Sequence, residues 1–310
     1  MNITTIGGAT VDIIVSGSHG ANGQGAKQDV DGIGLYMGGG AVNAGLGFVA
    51  CGARVNAVCA LGEDAEGAWF RESLARSGIG LDGVQAIAGT PTGKAVVHLA
   101  GDGEASVFAQ RGASVELSLT SAPAHLLKAD VVYVSALPDT AMAQLAASLK
   151  TAPQRPSRLV LNPGARQLAA SSASLAPLLD MADLVCVNAL EAHLLAQTPA
   201  KAHSSELGTE DIQDLLARIG QCTRASVLIT MGSKGAVFFN GTETHHCPAP
   251  AARVVSTLGA GDAYASTFAF HWASGQSARH ALAAATQQAA AVLGVVAANL
   301  AGPLAAGTAS

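Results

Sequence analysis

Six short runs constrain the fold more than anything else in the chain. ITTIG, VNAVCAL, DVVYVS, RLVLN, DLVCV and SVLITM read as apolar throughout rather than at alternate positions. Strands of that kind are covered on both faces, which points to a parallel sheet held between helices. Helical stretches lie between them. One is expected from Ala41 to Cys51, with Val42, Leu46 and Val49 on one face and Gly52 placed to end it. Another is expected from Asp64, as N-cap, to Gly78. The alternation implies an α/β fold, a three-layer, doubly wound, mostly parallel sheet. With 310 residues and 49% hydrophobic content, the chain suits one large α/β domain or such a domain with a small appendage.

Composition removes several partners. The net charge is −5 with 17 Lys and Arg and no basic run, so a nucleic-acid backbone finds little to hold. Cys51, Cys59, Cys186, Cys222 and Cys247 are odd in number and contain no Cys-x-x-Cys pair, which fits a reduced, cytoplasmic protein. MNITTIGGATVDIIV has no basic region before its apolar residues and reads as a first strand rather than an export signal. Ala281 to Ala301 has the length of a membrane span. Its apolarity is mostly alanine, interrupted by Gln287, Gln288 and Asn299, so a helix packed on a sheet is the expectation, with no membrane partner.

Two segments break the alternation. Residues 12–37 are polar and glycine-rich, and 92–111 read as two strands around Gly-Asp-Gly. Together they predict a small sheet, a lid, beside a core of residues 1–11, 38–91 and 112–310. A hairpin alone is marginal in water, so this sheet needs another strand, the core edge or a second subunit to cover it.

Three glycine clusters could hold a ligand. GGGAVNAG, residues 38–45, allows close approach to bare backbone, and Asn43 offers a donor and an acceptor; it could equally be a tight strand-to-helix turn. ITMGSKGAVFF places Thr230, Gly232, Lys234 and Gly235 beyond the end of a strand, where open α/β sheets bind ligands, or forms a plain hairpin turn with a solvated lysine. STLGAGDAYASTFAF is chemically sharper. Gly259, Ala260 and Gly261 entering a helix present unpaired N–H groups suited to polyphosphate. Asp262 in the same turn makes sense as the acceptor of a hydroxyl proton, or it only caps the helix. GTPTGKA imitates a phosphate-binding loop but is one residue short and precedes a strand, and His245, His246 and Cys247 alternate across a strand rather than converge on a metal.

In combination and order, these pieces resemble a known family. GGGAVNAGLGFVACGARVNAVCALGEDAEG and VVSTLGAGDAYASTFAF look like the two signatures of the ribokinase-like (PfkB) carbohydrate kinases, with VNALEAHLL, LNPGARQL and VLITMGSKGA between them. The resemblance spans nearly the whole chain. It implies ATP- and Mg²⁺-dependent phosphoryl transfer to a primary hydroxyl of a small-molecule sugar or nucleoside, with Asp262 as base and Gly259, Ala260 and Gly261 as anion hole. It also implies that Asn188 and Glu191 organise phosphate and Mg²⁺ through water, that Thr230 to Gly235 line the nucleotide, and that Asp12, Gly39, Gly40 and Asn43 hold acceptor hydroxyls. A helix N-terminus is expected to keep Asp262 ionised and a weak base.

Several positions depart from the pattern. Ser256 stands where many members carry an aspartate of a monovalent-cation site, and VVAANLAGP lacks the matching segment, so potassium activation is not expected. Thr10 replaces an asparagine common in ribose kinases, and LPDT lacks a glutamate those enzymes use, which weakens ribose as the acceptor. Tyr36 and Phe108 could stack a nucleoside base or simply pack the lid. Arg111 could pair with an anionic acceptor or be solvated. A non-catalytic sensor on the same fold is the competing reading, and the lid makes a homodimer reasonable.

Overall fold

The apolar runs become strands buried on both faces. The structure is a computed structural model that describes residues 1–17, 27, 29–99, 105–152, 155–170, 173–198 and 209–298. Its first half contains β1 (Asn2–Ile6), β2 (Thr10–Ser16), β3 (Gly32–Gly38), α1 (Gly40–Ala50), β4 (Arg54–Gly62), α2 (Ala65–Arg76), β5 (Ile79–Ile87), β6 (Lys94–Leu99) and β7 (Ala105–Gln110). The second half contains β8 (Val131–Val134), α3 (Asp139–Thr151), β9 (Arg158–Leu161), α4 (Ala165–Ala169), α5 (Ala176–Met181), β10 (Leu184–Asn188), α6 (Ala189–Leu195) and α7 (Thr209–Cys222). It ends with β11 (Ser226–Thr230), β12 (Ala236–Phe239), β13 (Thr244–Cys247), α8 (Ala260–Ala273) and α9 (Ala278–Leu293).

The main sheet has 9 strands in the order β13-β12-β11-β10-β9-β8-β1-β4-β5. Every neighbouring pair from β11 to β5 is parallel, and β12 and β13 add an antiparallel edge. Helices cover both faces. Phe48 of α1, Phe70 of α2, Phe268 of α8 and Leu282 of α9 pack against Tyr133, Val160, Leu184 and Leu228 on one side. Leu145 of α3, Leu178 of α5, Leu195 of α6 and Leu216 of α7 pack against Val132, Leu159, Val185 and Val227 on the other. This is the three-layer α/β arrangement expected from the sequence.

Local signals set the helix ends. Asp64 caps α2 by accepting from the Gly67 amide at 2.8 Å, and Gly52 and Gly78 adopt left-handed backbone just past α1 and α2. The alanine-rich stretch forms α9 and stops at Leu293, with Ala281, Leu282, Ala285 and Val292 buried. Among the described residues, no helix is long and apolar enough to cross a membrane. Strand β5 escapes the apolar-run criterion because Gly80, Asp82 and Gly83 interrupt it. It lies at the sheet edge, where its pairing with β4 is irregular between Asn56 and Val58.

A second sheet of 4 strands runs β3-β2-β6-β7. Residues 100–104 and most of 18–28 lie outside the described set, so the Gly-Asp-Gly turn is not described. Register places Leu35, Ile13, Val96 and Phe108 in one row across the sheet, and Tyr36, Asp12, Ala95 and Ala109 in the next. Adjacent rows point to opposite faces. On the inner face Ile14, Ala95, Val97 and Leu99 pack with Tyr36, Leu258 and Val296. The outer face exposes Ile33 (68%), Leu35 (53%), Val96 (42%) and Phe108 (73%).

Candidate active site

Strand order reverses at β1, with β4 and β5 to one side and β8 to β11 to the other. In open α/β sheets the crevice at such a reversal, beyond the carboxyl ends of the strands, is where ligands sit. Parallel pairing sets Asn188, the last residue of β10, directly beside Thr230, the last of β11. Both line a cleft of ≈ 210 Å³ together with Glu191, Gly259, Gly261 and Asp262. Ala260 is not among the lining residues, although it belongs to the same first turn of α8.

The opposite wall of the cleft is the start of α8. Gly259 precedes the helix in the left-handed region (φ 73°), and a side chain there would overlap the Ala298 carbonyl. No residue with a β-carbon fits. Asp262 follows in the first turn, where its Oδ2 accepts from Asn43 Nδ2 at 3.0 Å. That bond ties α8 to α1 across 219 residues of sequence. Burial pushes the Asp262 carboxyl up to about 6, outweighing the lowering effect of the Asn43 bond. The carboxyl stays ionised at neutral pH, but the expectation that the helix N-terminus makes it a weak base is corrected: desolvation dominates, and it becomes a stronger base than a surface aspartate.

Asn188 and Glu191 are bound to each other's backbone. Asn188 Oδ1 accepts from the Glu191 amide and Glu191 Oε2 accepts from the Asn188 amide, both at 2.9 Å. This capping box starts α6, so the Asn-x-x-Glu spacing has a local structural cause as well as a place in the cleft. Burial raises the Glu191 carboxyl, the Asn188 amide opposes this, and the Asp262 charge adds to it. The two carboxylates thus feel one another across the cleft.

Asp12, Gly39, Gly40 and Asn43 lie toward the small sheet. Asp12 is 6% exposed, and burial raises its carboxyl to about 6, with Thr10 lowering and Asp262 raising it further. Gly39 (φ 94°) sits on the Gly8 backbone, and Gly40 lies against Ser135, so this run is a tight strand-to-helix turn as well as a wall near the site. Gly232 and Lys234 are exposed on a short 3₁₀ turn after β11, and Gly235 lies over the Cys247 carbonyl. Arg111 is exposed just beyond β7.

Comparison with known proteins shows the family of the chain. The profile of the "pfkB family carbohydrate kinase" matches residues 2–303. The chain belongs to the pfkB family. A ribokinase from Arabidopsis thaliana is 31% identical over 246 residues, covering 75% of this chain and 62% of that protein, so the matched region spans less than two thirds of this relative. The solved structure of Arabidopsis thaliana ribokinase complexed with ribose and ATP superposes with a TM-score of 0.79 at 27% identity, covering 95% and 93% of the two chains. Adenosine kinase from Sinorhizobium meliloti shares the fold, with a TM-score of 0.78, 21% identity and coverage of 97% and 96%.

Within this pfkB chain, four cleft residues carried no assignment from sequence: Asn162, Cys186, Val187 and Ala265. Asn162 follows β9, donates Nδ2 to the Cys186 carbonyl at 3.1 Å, and lines the cleft, as does Cys186 itself. The strand-end rule that selected Thr230 could have selected Asn162. Phe108 projects from the outer face of the small sheet, whereas Tyr36 is on the inner one, so the two aromatics cannot act on one ligand. Ser256 is buried and accepts from the Leu258 amide at 3.2 Å; the later part of VVAANLAGP lies outside the described residues.

Proposed function

We propose that this pfkB-family protein transfers the γ-phosphoryl group of ATP to a primary hydroxyl of a sugar or sugar derivative. The observation that carries the reading is Asp262, a carboxylate held by Asn43 beside the exposed amides that open α8, in a cleft shared with Asn188 and Thr230. Asp262 orients the acceptor hydroxyl and takes its proton as the oxygen bonds to the γ-phosphorus; the β–γ bridging bond breaks and ADP leaves with that electron pair. Gly259 and Gly261 amides face the charge on the transferred group. In a loose transition state, alignment and neutralisation of charge dominate, so a carboxyl near 6 is basic enough and still ionised at neutral pH.

The donor set suits Mg²⁺ held through water. Among the described residues no three His, Cys, Asp or Glu are grouped so as to hold a metal ion directly, while Asn188 and Glu191 line the cleft with hard oxygen atoms. Mg²⁺ held by these residues through water would supply neutralisation of the phosphate charge. Thr230, Gly232, Lys234 and Gly235 are assigned to the nucleotide, and Asp12, Gly39, Gly40 and Asn43 to the acceptor. Residues 12–37 and 92–111 are assigned to a lid that keeps water from the phosphates. Tyr36 on the inner lid face supports a nucleoside as the alternative acceptor. The five free cysteines support a reducing compartment such as the cytoplasm. The bare apolar outer face of the lid supports pairing with a second copy of the chain.

A panel of sugars and nucleosides with ATP and Mg²⁺, followed by ADP release, tests the reading. Turnover names the acceptor, and binding without turnover would favour a sensor. Asp262→Asn is expected to lower kcat on the order of 10²-fold or more with little change in ATP affinity. Near-normal turnover in that variant removes Asp262 from the mechanism.

A further inference from the structure

Asp12 is held in one orientation by two neighbours that have no other evident part in the site. Thr10 and Asp12 lie two residues apart on β2, so both face inward. Thr10 Oγ1 donates to Asp12 Oδ1 at 2.7 Å. The other carboxylate oxygen lies over Gly38, the register partner of Thr10 on β3, where an added β-carbon would overlap Asp12 Oδ2. Gly38 does not have positive φ, so its missing side chain answers to space and not to backbone conformation. The carboxylate therefore leans back along its strand into a cradle formed by one hydroxyl and one bare α-carbon.

We propose that Thr10 and Gly38 are positioning residues that fix Asp12 as a pure hydrogen-bond acceptor, so that this chain selects acceptors presenting a donor hydroxyl to that carboxylate. This rests on the assignment of Asp12 to the acceptor. A hydroxyl has one proton, and Thr10 directs its proton to Asp12, leaving the threonine only lone pairs to offer a ligand. A bond of this kind to a charged oxygen favours the ionised form and limits the rotamers of a side chain that would otherwise be buried beside a second carboxylate. The groups around Asp12 agree. Asp262 from α8 is the charged neighbour that raises it, β3 contributes the Tyr36 phenol in register, and the partner on β6 is Ala95. With Asp262 opposing ionisation, Thr10 supplies the local opposition to protonation.

The test compares wild type with Thr10→Val, Thr10→Ser, Gly38→Ala and Asp12→Asn, using ADP release with D-ribose and with adenosine as acceptors and ATP·Mg²⁺ as donor. Thr10→Val is expected to raise acceptor KM about 10-fold or more while kcat stays within about 3-fold, and to move the acid limb of kcat/KM to higher pH. Thr10→Ser, which keeps the hydroxyl, is expected to stay within about 3-fold of wild type. Gly38→Ala, which leaves the hydroxyl but fills the cradle, is expected to raise KM by at least about 10-fold. A second readout needs no turnover: carboxyl ¹³C titration of the ligand-free protein labelled at aspartate, with Asp12→Asn identifying the resonance, is expected to move upward in Thr10→Val. Unchanged KM in Asp12→Asn overturns the acceptor assignment itself. Raised KM in Asp12→Asn with wild-type KM in both Thr10→Val and Gly38→Ala overturns only the positioning role, as does an Asp12 titration that Thr10→Val leaves in place.

Discussion

The two sheets of the molecule solve the burial problem differently. The 9-stranded sheet is covered by helices on both faces, so its strand ends are fixed by packing on either side. The 4-stranded sheet is covered on one face, by its own inner cluster with Leu258 and Val296, and leaves Ile33, Leu35, Val96 and Phe108 to solvent. Each contributes one carboxylate to the candidate site, Asp262 from the body of the molecule and Asp12 from the small sheet. The body thus carries the groups proposed for the phosphates together with Gly39, Gly40 and Asn43, while the small sheet carries Asp12, also proposed for the acceptor. Chemistry common to many acceptors can stay fixed while the acceptor side changes.

The largest effect that tests this division is on rate against pH. Burial brings both Asp12 and Asp262 to about 6, with the Asp262 charge adding to the rise of Asp12, so kcat/KM is expected to fall with a slope approaching 2 on a logarithmic scale below that pH, about 100-fold per unit. Asp12→Asn should reduce the slope to 1. A slope of 1 in wild type would mean that only one sheet supplies a titrating group. A smaller effect concerns the outer face of the small sheet. Leu35→Glu combined with Phe108→Glu should weaken self-association at least about 10-fold in sedimentation experiments while leaving the melting temperature of the body in place. Wild-type protein that remains monomeric at high concentration would show that face to be covered by something other than a second copy.

The smallest effect is on stability, and its sign is set by linkage. Both carboxyls are raised in the folded chain above the ordinary aspartate value of 3.8, so the stability they contribute is present below that pH and is lost as pH rises through about 6. Asp12→Asn and Asp262→Asn are each expected to raise the melting temperature at pH 8 by on the order of 2–4 °C, with the gain vanishing below about pH 4. A gain at pH 4 equal to that at pH 8 would assign the effect to packing instead.

Much of this was legible in the residues. The parallel strands, the ends of α1 and α2 and the sheet from two irregular segments follow from apolar runs, an aspartate cap and glycine stops. Other features depend on contacts between distant residues. Local reasoning about Asp262 gave the helix N-terminus too much weight, because burial in the folded chain raises it and outweighs the lowering bond from Asn43 of α1. Asn188 and Glu191 show the reverse: a spacing read for its chemistry is also a capping box, a strictly local device. Neither the cradle at Gly38 nor the Thr10 bond could be seen before β2 and β3 were paired in register. β5 was hidden by its own glycines.

Gly259 rests on the backbone of Ala298, and Asp262 is held by Asn43. The turn that opens α8 is thus closed by residues near both extremes of the described chain. As the polypeptide leaves the ribosome, the first strands and α1 emerge early but wait for a partner that arrives some two hundred residues later. Until that partner arrives Asn43 lacks the carboxylate it holds, so the cleft is assembled only once two segments far apart in the chain have met.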